Sequence, residues 1–443
     1  MAEITPFRAY RYNADKVDLQ KVLTQPYDKI SPAMQGKYYA ASPYNLIVVE
    51  KGKSEPGDTP DENVYTRAAQ KLEEWTAQGI LAQDERPAVY VYAQEFTDPL
   101  TSKRRTRTGM IALGRIEDYD AEIVHRHERT LAGPKADRLE LLRHTRTQTG
   151  QLFMLYEDES GGVDRLLQIA TRKPATVEVR DEYDVLHRLW PLTDETVIKR
   201  ITAALADKQL VIADGHHRYE TAMAFRNELR ESEGAGDNKA PFEFAMMTLF
   251  NTQDKDLLIL PTHRVVRNVK DFNFQKLKDQ DASRYFDWFA YPFTNPAERT
   301  TAYAEFKKDL AARGRSGNAI GVYAGGGAFY LFALRRDANL EQLVPDVPAP
   351  VRELDVVLLH RLLLEKGLGI TPEAVSAELN VTYERGMDAA LAAVDNGEAQ
   401  ITFLLNPVDV QEVADIALGG DVMPQKSTDF YPKLLSGIAN YRY

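Results

Sequence analysis

The sequence predicts an α/β (mixed α+β) protein, on two observations. Short apolar or alternating runs such as AVYVYAQEF, LVIA and QITFLL are interleaved with longer stretches of helical periodicity. Apolar residues make up 44% and charged residues 27% of the 443, which is ordinary globular usage and not that of a disordered or coiled-coil chain. That length suggests two to three domains, which we divide as 1–120, 121–270 and 271–443.

Taken in order, LIVVE (Leu46 to Glu50) reads as a strand and KGKSEPGDTPDEN (Lys51 to Asn63) as a loop. Val64, Ala68, Leu72 and Trp75 then recur at near-helical spacing, with Gly79 as the stop. AVYVYAQEF and TRTGMIALGRI (Thr106 to Ile116) are strand-like, and the DPLTSK turn between them predicts an antiparallel pair. Pro134 opens a charged helix through KADRLELLRHTR, because proline suits the first helical position. Asp194 is placed to cap a helix whose Val197, Ile201 and Leu205 form a stripe. LVIA (Leu210 to Ala213) is a buried strand that runs through a turn into the helix Tyr219 to Ser232, and EGAGDNKAP follows as a module edge. Beyond it, EFAMMTLF and LLILPTHRVV read as strands, AIGVYAGGGAFYLFALRR as a glycine-linked hairpin and VRELDVVLLHRLLLEKG as an amphipathic helix. An Ala-rich helix through Val394, the strand QITFLL and the helix VQEVADIAL end the series.

Composition narrows the function classes. With 55 Lys plus Arg against 66 Asp plus Glu, the formal charge of -11 repels a phosphate backbone, so nucleic acid is disfavoured as a partner. The absence of cysteine excludes disulfides, thiolate metal sites and Cys nucleophiles together, and fits a reducing compartment. MAEITPFRAYRYNADK lacks the apolar run of a signal peptide and no 18 consecutive apolar residues occur, so a cytoplasmic protein without a membrane span is expected. The oligomeric state is not legible.

The most informative segment is LVIADGHHRYETAMAF (Leu210 to Phe225), a strand that turns through Asp-Gly-His-His-Arg directly into a helix. Gly215 permits a tight turn, the new helix offers unpaired N–H groups to an anion, and His216, His217 and Arg218 add donors beside them. Phosphate is the natural ligand. Asp214 at the strand end is suited to hold Mg2+, orient a hydroxyl or accept its proton. In HRHERTLAGPKADR (His125 to Arg138), Lys135 and Arg138 are candidates for an anion and Glu128 for a base or a Mg2+ ligand. Its His125, His127 and Glu128 lack the HExxH spacing of a metal helix, and a solvated charged helix is the alternative reading. Tyr27 and Asp28 in QPYDKISP and His263 and Arg264 in LPTHRVV are substrate candidates, each weighed against a structural role. VMPQKSTDFYPK is no Walker loop, since Gln425 stands where glycine is required, yet its Lys426, Ser427, Thr428 and Lys433 suit a phosphate.

QPYDKIS, HERT with PKADRLELL, ADGHHRYETA, LPTHR, and MPQKST followed by FYPK resemble successive signatures of a bacterial domain-of-unknown-function family labelled SpoOJ/ParA/ParB/repB-like. More remotely, Gly215 to Arg218 resemble the turn by which the ParB/sulfiredoxin superfamily binds nucleotide phosphates, which implies a core of that fold within 121–270 and further α/β domains around it. Sulfiredoxin chemistry would need a cysteine where His216 stands. The free serine kinase branch, with a similar DGHxR turn, implies instead Mg2+-assisted phosphoryl transfer to or from a small hydroxy metabolite, with serine or phosphoserine first. In that reading Asp214, His217 and Glu128 are catalytic, Asp214 holds the metal, and ATP, ADP or CTP is the nucleotide. The alternatives are a nucleotide-responsive binding protein without turnover and a ParB-like DNA-binding protein.

Overall fold

The computed structural model describes residues 2–128, 133–234 and 239–443. The chain forms two compact units, the first made of Met1–Leu258 with Phe430–Tyr443, the second of Ile259–Asp429.

Unit 1 is built on a mixed nine-stranded sheet. Its strands are β1 (Ile4–Thr5), β2 (Val89–Thr97), β3 (Arg104–Arg115), β4 (Val124–Arg126), β5 (Leu152–Tyr156), β6 (Val177–Arg180), β7 (Leu186–Leu192), β8 (Leu210–Asp214) and β9 (Phe244–Asn251). The order is β4-β8-β5-β9-β3-β2-β7-β6, with β1 also pairing on β3. β2 and β3 are the antiparallel pair expected across DPLTSK, in the register Tyr90 to Ile111. β4 with β8 and β5 with β9 run parallel. All eight positions of β9 are buried, so the middle of the sheet is covered on both faces, which is why FAMMTLFN is apolar at six positions rather than alternating. Met110, Leu152, Met154, Ile212 and Leu249 from the sheet share one core with Leu166, Ile201, Leu205 and Tyr219 from helices.

The helices Val64–Ala77, Gly133–Thr145 and Glu195–Leu205 lie where periodicity and caps place them. Asp194 accepts hydrogen bonds from the Thr196 and Val197 N–H groups, the cap read from the sequence. LIVVE is a correction. Ile47–Glu50 is a short helix rather than a strand, turned by the Asn45 side chain, which accepts from Ile47 N at 2.9 Å. A five-residue apolar run carries no periodicity that separates the two states. The division at residue 120 is also corrected, because β2 and β3 before it are hydrogen-bonded into the same sheet as β8 and β9 after it.

Unit 2 carries a six-stranded, wholly antiparallel sheet of β10 (His263–Val266), β11 (Phe286–Pro292), β12 (Ala319–Tyr323), β13 (Ala328–Leu334), β14 (Val381–Glu384) and β15 (Ile401–Leu404), ordered β11-β13-β12-β15-β10-β14. The helix Pro296–Gly314 buries Phe306 and Leu310 against Phe329 and Leu331. VRELDVVLLHRLLLEKG departs from a single helix, being divided into Asp355–Leu358, a wide π-type stretch Leu359–Glu365 and Lys366–Leu368. No helix among the described residues is long and apolar enough to cross a membrane.

Candidate functional site

β8 ends at Asp214, and Gly215 turns the chain into the helix His216–Glu233 with φ +97°, a left-handed conformation that a Cβ would strain. No side chain caps this helix and its first turn holds no acidic residue, so the positive end of its dipole is not offset by a side chain of the helix itself. Arg218, in that first turn, donates from Nη1 to the Gln151 carbonyl.

Around Arg218 lies a small cavity of about 60 Å3 lined by Tyr27, Glu50, Arg138, Thr149, Gly150 and Leu152 among others. A Cβ on Gly150 would stand 3.2 Å from Arg218 Nη1 and 3.5 Å from Glu50 Oε1, so glycine lets these two side chains converge over the backbone. Glu50 is 3% exposed, and its carboxylate accepts from Thr149 Oγ1 and, at 3.4 Å, from Ser436 Oγ. The Arg138 guanidinium stacks 4.4 Å from the Tyr27 ring and donates to the Glu50 carbonyl at 2.7 Å. Burial raises the Tyr27 pKa, while Arg218 and Arg138 oppose it. Lys51 fixes the turn that carries Tyr27 by donating to the Tyr27 and Ile30 carbonyls.

The last segment of the chain completes the cluster. Lys433 Nζ is 2.8 Å from Asp214 Oδ2. Burial works against the charged Asp214, but Lys433, Arg218 and Lys29 outweigh it and hold the carboxyl well below its usual range. Under Lys433 the backbone is gripped by the sheet. Arg107, fully buried with its pKa lowered to about 9 by desolvation, donates to the Tyr431 and Pro432 carbonyls and to Gln94 Oε1, and Gln94 Nε2 donates to the Lys433 carbonyl at 2.8 Å. Tyr92 Oη accepts from Leu435 N at 3.5 Å and meets His187 Nδ1 at 2.6 Å, while His187 Nε2 faces Asp181 at 3.3 Å.

Of the residues expected from the sequence, the structure gathers Asp214, Gly215, His216, His217, Arg218, Tyr27 and Arg138 in unit 1. His216 departs from the expected charge-neutralising role. Burial, with His127 beside it, pushes its pKa well below the imidazole value, so the ring stays neutral and can offer a hydrogen bond but no charge. His217 is half-buried on the first turn. Lys135 pairs with Glu220, which Arg126 also approaches at 3.8 Å, and lies off the cavity wall. Glu128 is half-buried just beyond β4, and Asp28 is exposed with Lys29 at 3.8 Å. Arg129 and Thr130 of HERT, and Ala235 to Asn238 of the module-edge loop, lie outside the described residues.

His263, Arg264, Lys426, Ser427 and Thr428 belong to unit 2. There His263 Nδ1 accepts from Leu405 N, which fixes a neutral ring whose pKa burial lowers to about 4. Arg264, wholly buried, donates to the Thr262 and Lys426 carbonyls and so holds the QKST turn by its backbone.

The expectation that Asp214 holds Mg2+ does not fit the donor set. The charged groups that stabilise its carboxylate are Lys433, Arg218 and Lys29, all cationic, and no group of three or more His, Asp or Glu side chains arranged for a metal occurs among the described residues. Sequence reasoning passed over Glu50 and Lys29, and offered Lys433 as a phosphate candidate without its pairing to Asp214. A glutamate closing the apolar run LIVVE was the available signal for Glu50.

Fold and site together define a two-unit α/β protein in which a strand turns through Asp214 and Gly215 directly into a helix. The chain belongs to the family described as protein of unknown function (DUF1015), whose model matches residues 4–357. No curated protein matches the sequence. Solved structures similar to it include a free serine kinase in complex with AMP, at 12% identity and TM-score 0.35, covering 70% of this chain and 84% of that one. A conserved hypothetical protein from Pyrococcus furiosus is similar at 11% identity and TM-score 0.32, covering 70% and 87%. A C-terminally truncated SbnI from Staphylococcus aureus is similar at 11% and 0.33, covering 74% and 85%.

Proposed function

We propose that unit 1 binds the phosphate of a small molecule or nucleotide at the start of the helix His216–Glu233 and transfers a phosphoryl group to or from a small hydroxy compound, serine or phosphoserine being the first pair to test. The observation that carries this reading is the convergence on one turn of an uncapped helix end, the Arg218 guanidinium, Lys29 and the ionised Asp214. The resemblance of Asp214 to Arg218 to the phosphate-binding turn of the free serine kinases supports the same assignment.

In such a transfer the hydroxyl oxygen bonds to phosphorus as the leaving P–O bond breaks, and charge spreads over the phosphoryl oxygens. The helix N–H groups and Arg218 are pre-aimed donors for those oxygens. Asp214, ionised across the neutral range, accepts the hydroxyl's hydrogen bond and takes its proton as the bond to phosphorus forms. Glu50 offers a second, buried carboxylate to a hydroxyl or ammonium in the cavity.

Phosphorus NMR of the full chain tests this, with ATP, ADP or CTP plus serine, and separately with phosphoserine with and without nucleotide, in magnesium-containing buffer. New phosphoserine, or phosphate or nucleotide formed from it, is the expected result, with Arg218→Ala lowering kcat/KM about 30-fold or more, equivalent to about 2 kcal/mol in barrier. Unchanged spectra in every mixture overturn transfer between these compounds. The Asp214–Lys433 pair, which weakens Asp214 as a base, favours a second reading, a nucleotide-responsive binder without turnover. Nucleotide that raises the melting temperature while leaving every spectrum unchanged selects it.

A further inference from the structure

Asp214 and Lys433 pair beside the open end of a helix, where an anionic ligand would sit. The backbone of Lys433 is immobilised by Arg107 and Gln94, and its side chain is only 9% exposed. The part that re-aims is the four-carbon stem with its ammonium head, which carries three donors. At the first helical residue, His216 is 92% buried and its Nε2 has no partner among the described residues, a polar atom left for a ligand at the same end. Facing the carboxylate are Arg218, Lys29 and Lys433, with Arg107, His127 and His216 around them.

We propose that Lys433 is a phosphate-binding residue that Asp214 holds in reserve: when a phosphate reaches the helix end, the ammonium passes from the Asp214 carboxylate to a phosphate oxygen, and Asp214 turns to the substrate hydroxyl. The inference rests on the reading of this turn as a phosphate site. No covalent bond changes in the exchange. A doubly charged phosphate attracts the ammonium more strongly than a singly charged carboxylate does at the same distance. Losing the lysine and gaining an anionic neighbour then raises the proton affinity of Asp214, so a hydroxyl is activated only when phosphate is already bound.

Isothermal titration of the full chain with inorganic phosphate, as a double-mutant cycle, tests the exchange, with circular dichroism confirming that each variant is folded. The expected results are that Lys433→Met weakens phosphate binding about tenfold or more, and that Asp214→Asn tightens it about tenfold with Lys433 present but less than about threefold in the Lys433→Met background. A ligand that merely feels the Asp214 charge through space gives the same tightening in both backgrounds, and that additive outcome overturns the inference alone. Lys433→Gln carries the same cycle where Lys433→Met does not fold. Absence of phosphate binding by the wild-type chain overturns the site reading and the inference with it.

Discussion

His127 and His216 lie edge to face beneath the Asp214 turn, ring centroids 4.7 Å apart, and their burial decides their chemistry. His127 Nδ1 donates to the Ile212 carbonyl at 2.7 Å, yet desolvation outweighs that bond and lowers its pKa from 6.5 to about 4. Between those values the unfolded chain binds more protons than the folded one, so this contribution to stability is complete above pH 6.5 and falls away towards pH 4. Urea unfolding of unit 1 should lose up to about 3 kcal/mol over that window, and His127→Gln should flatten the slope. Asp355 in unit 2 has the opposite sign. Burial raises its pKa from 3.8 to about 6, against hydrogen bonds from Asn318 Nδ2 and Ala319 N, with Glu412 adding repulsion. Its charge therefore costs stability as pH rises above about 4, and the cost is complete above pH 6. Asp355→Asn should raise the unfolding free energy at pH 8 by about 1–2 kcal/mol and leave it nearly unchanged at pH 3.5, as chemical denaturation at the two pH values measures. Residue types at the DGHHR turn were legible because the motif is local. The pairing of Lys433 with Asp214, 219 positions away, was not, since it depends on the three-dimensional return of the chain.

Elements with a complete set of local signals were legible one by one. Asp194 with its stripe and Pro134 opening a charged run yielded helices, and DPLTSK between two alternating runs yielded a hairpin. LIVVE failed because tertiary contacts, including Leu46 N to the Val22 carbonyl at 2.8 Å, settle a run too short to show a period. The Gly215 turn joins local conformation to the site. A Cβ there would stand 3.2 Å from Leu152 Cδ2 and 3.3 Å from the Arg218 guanidinium, at a φ that L residues avoid. Gly215→Ala is expected to cost about 2 kcal/mol in chemical denaturation and to displace Arg218, weakening inorganic phosphate binding in the same samples.

Over the whole molecule, unit 2 is inserted between Leu258 and Phe430 of unit 1, a nesting that a division of the sequence into consecutive blocks does not capture. Residues 430–443 form part of unit 1, because Arg107 is wholly buried and takes its acceptors from Tyr431 and Pro432. Ending the chain at Asp429 would leave that guanidinium buried without them, and unit 1 should lose about 3 kcal/mol or more. Fluorescence of Trp75 and Trp190 in unit 1, with Trp288→Phe silencing the unit 2 signal, measures the loss in urea. The same nesting sets an order for biosynthesis. Asp214 and Arg218 are made before unit 2, Lys433 after it, and at about 5–20 residues per second the ribosome needs roughly ten to thirty seconds to add the intervening segment. During that interval the nascent turn holds an aspartate without its lysine and a sheet without its final strap, so a holding chaperone would find its most exposed substrate there.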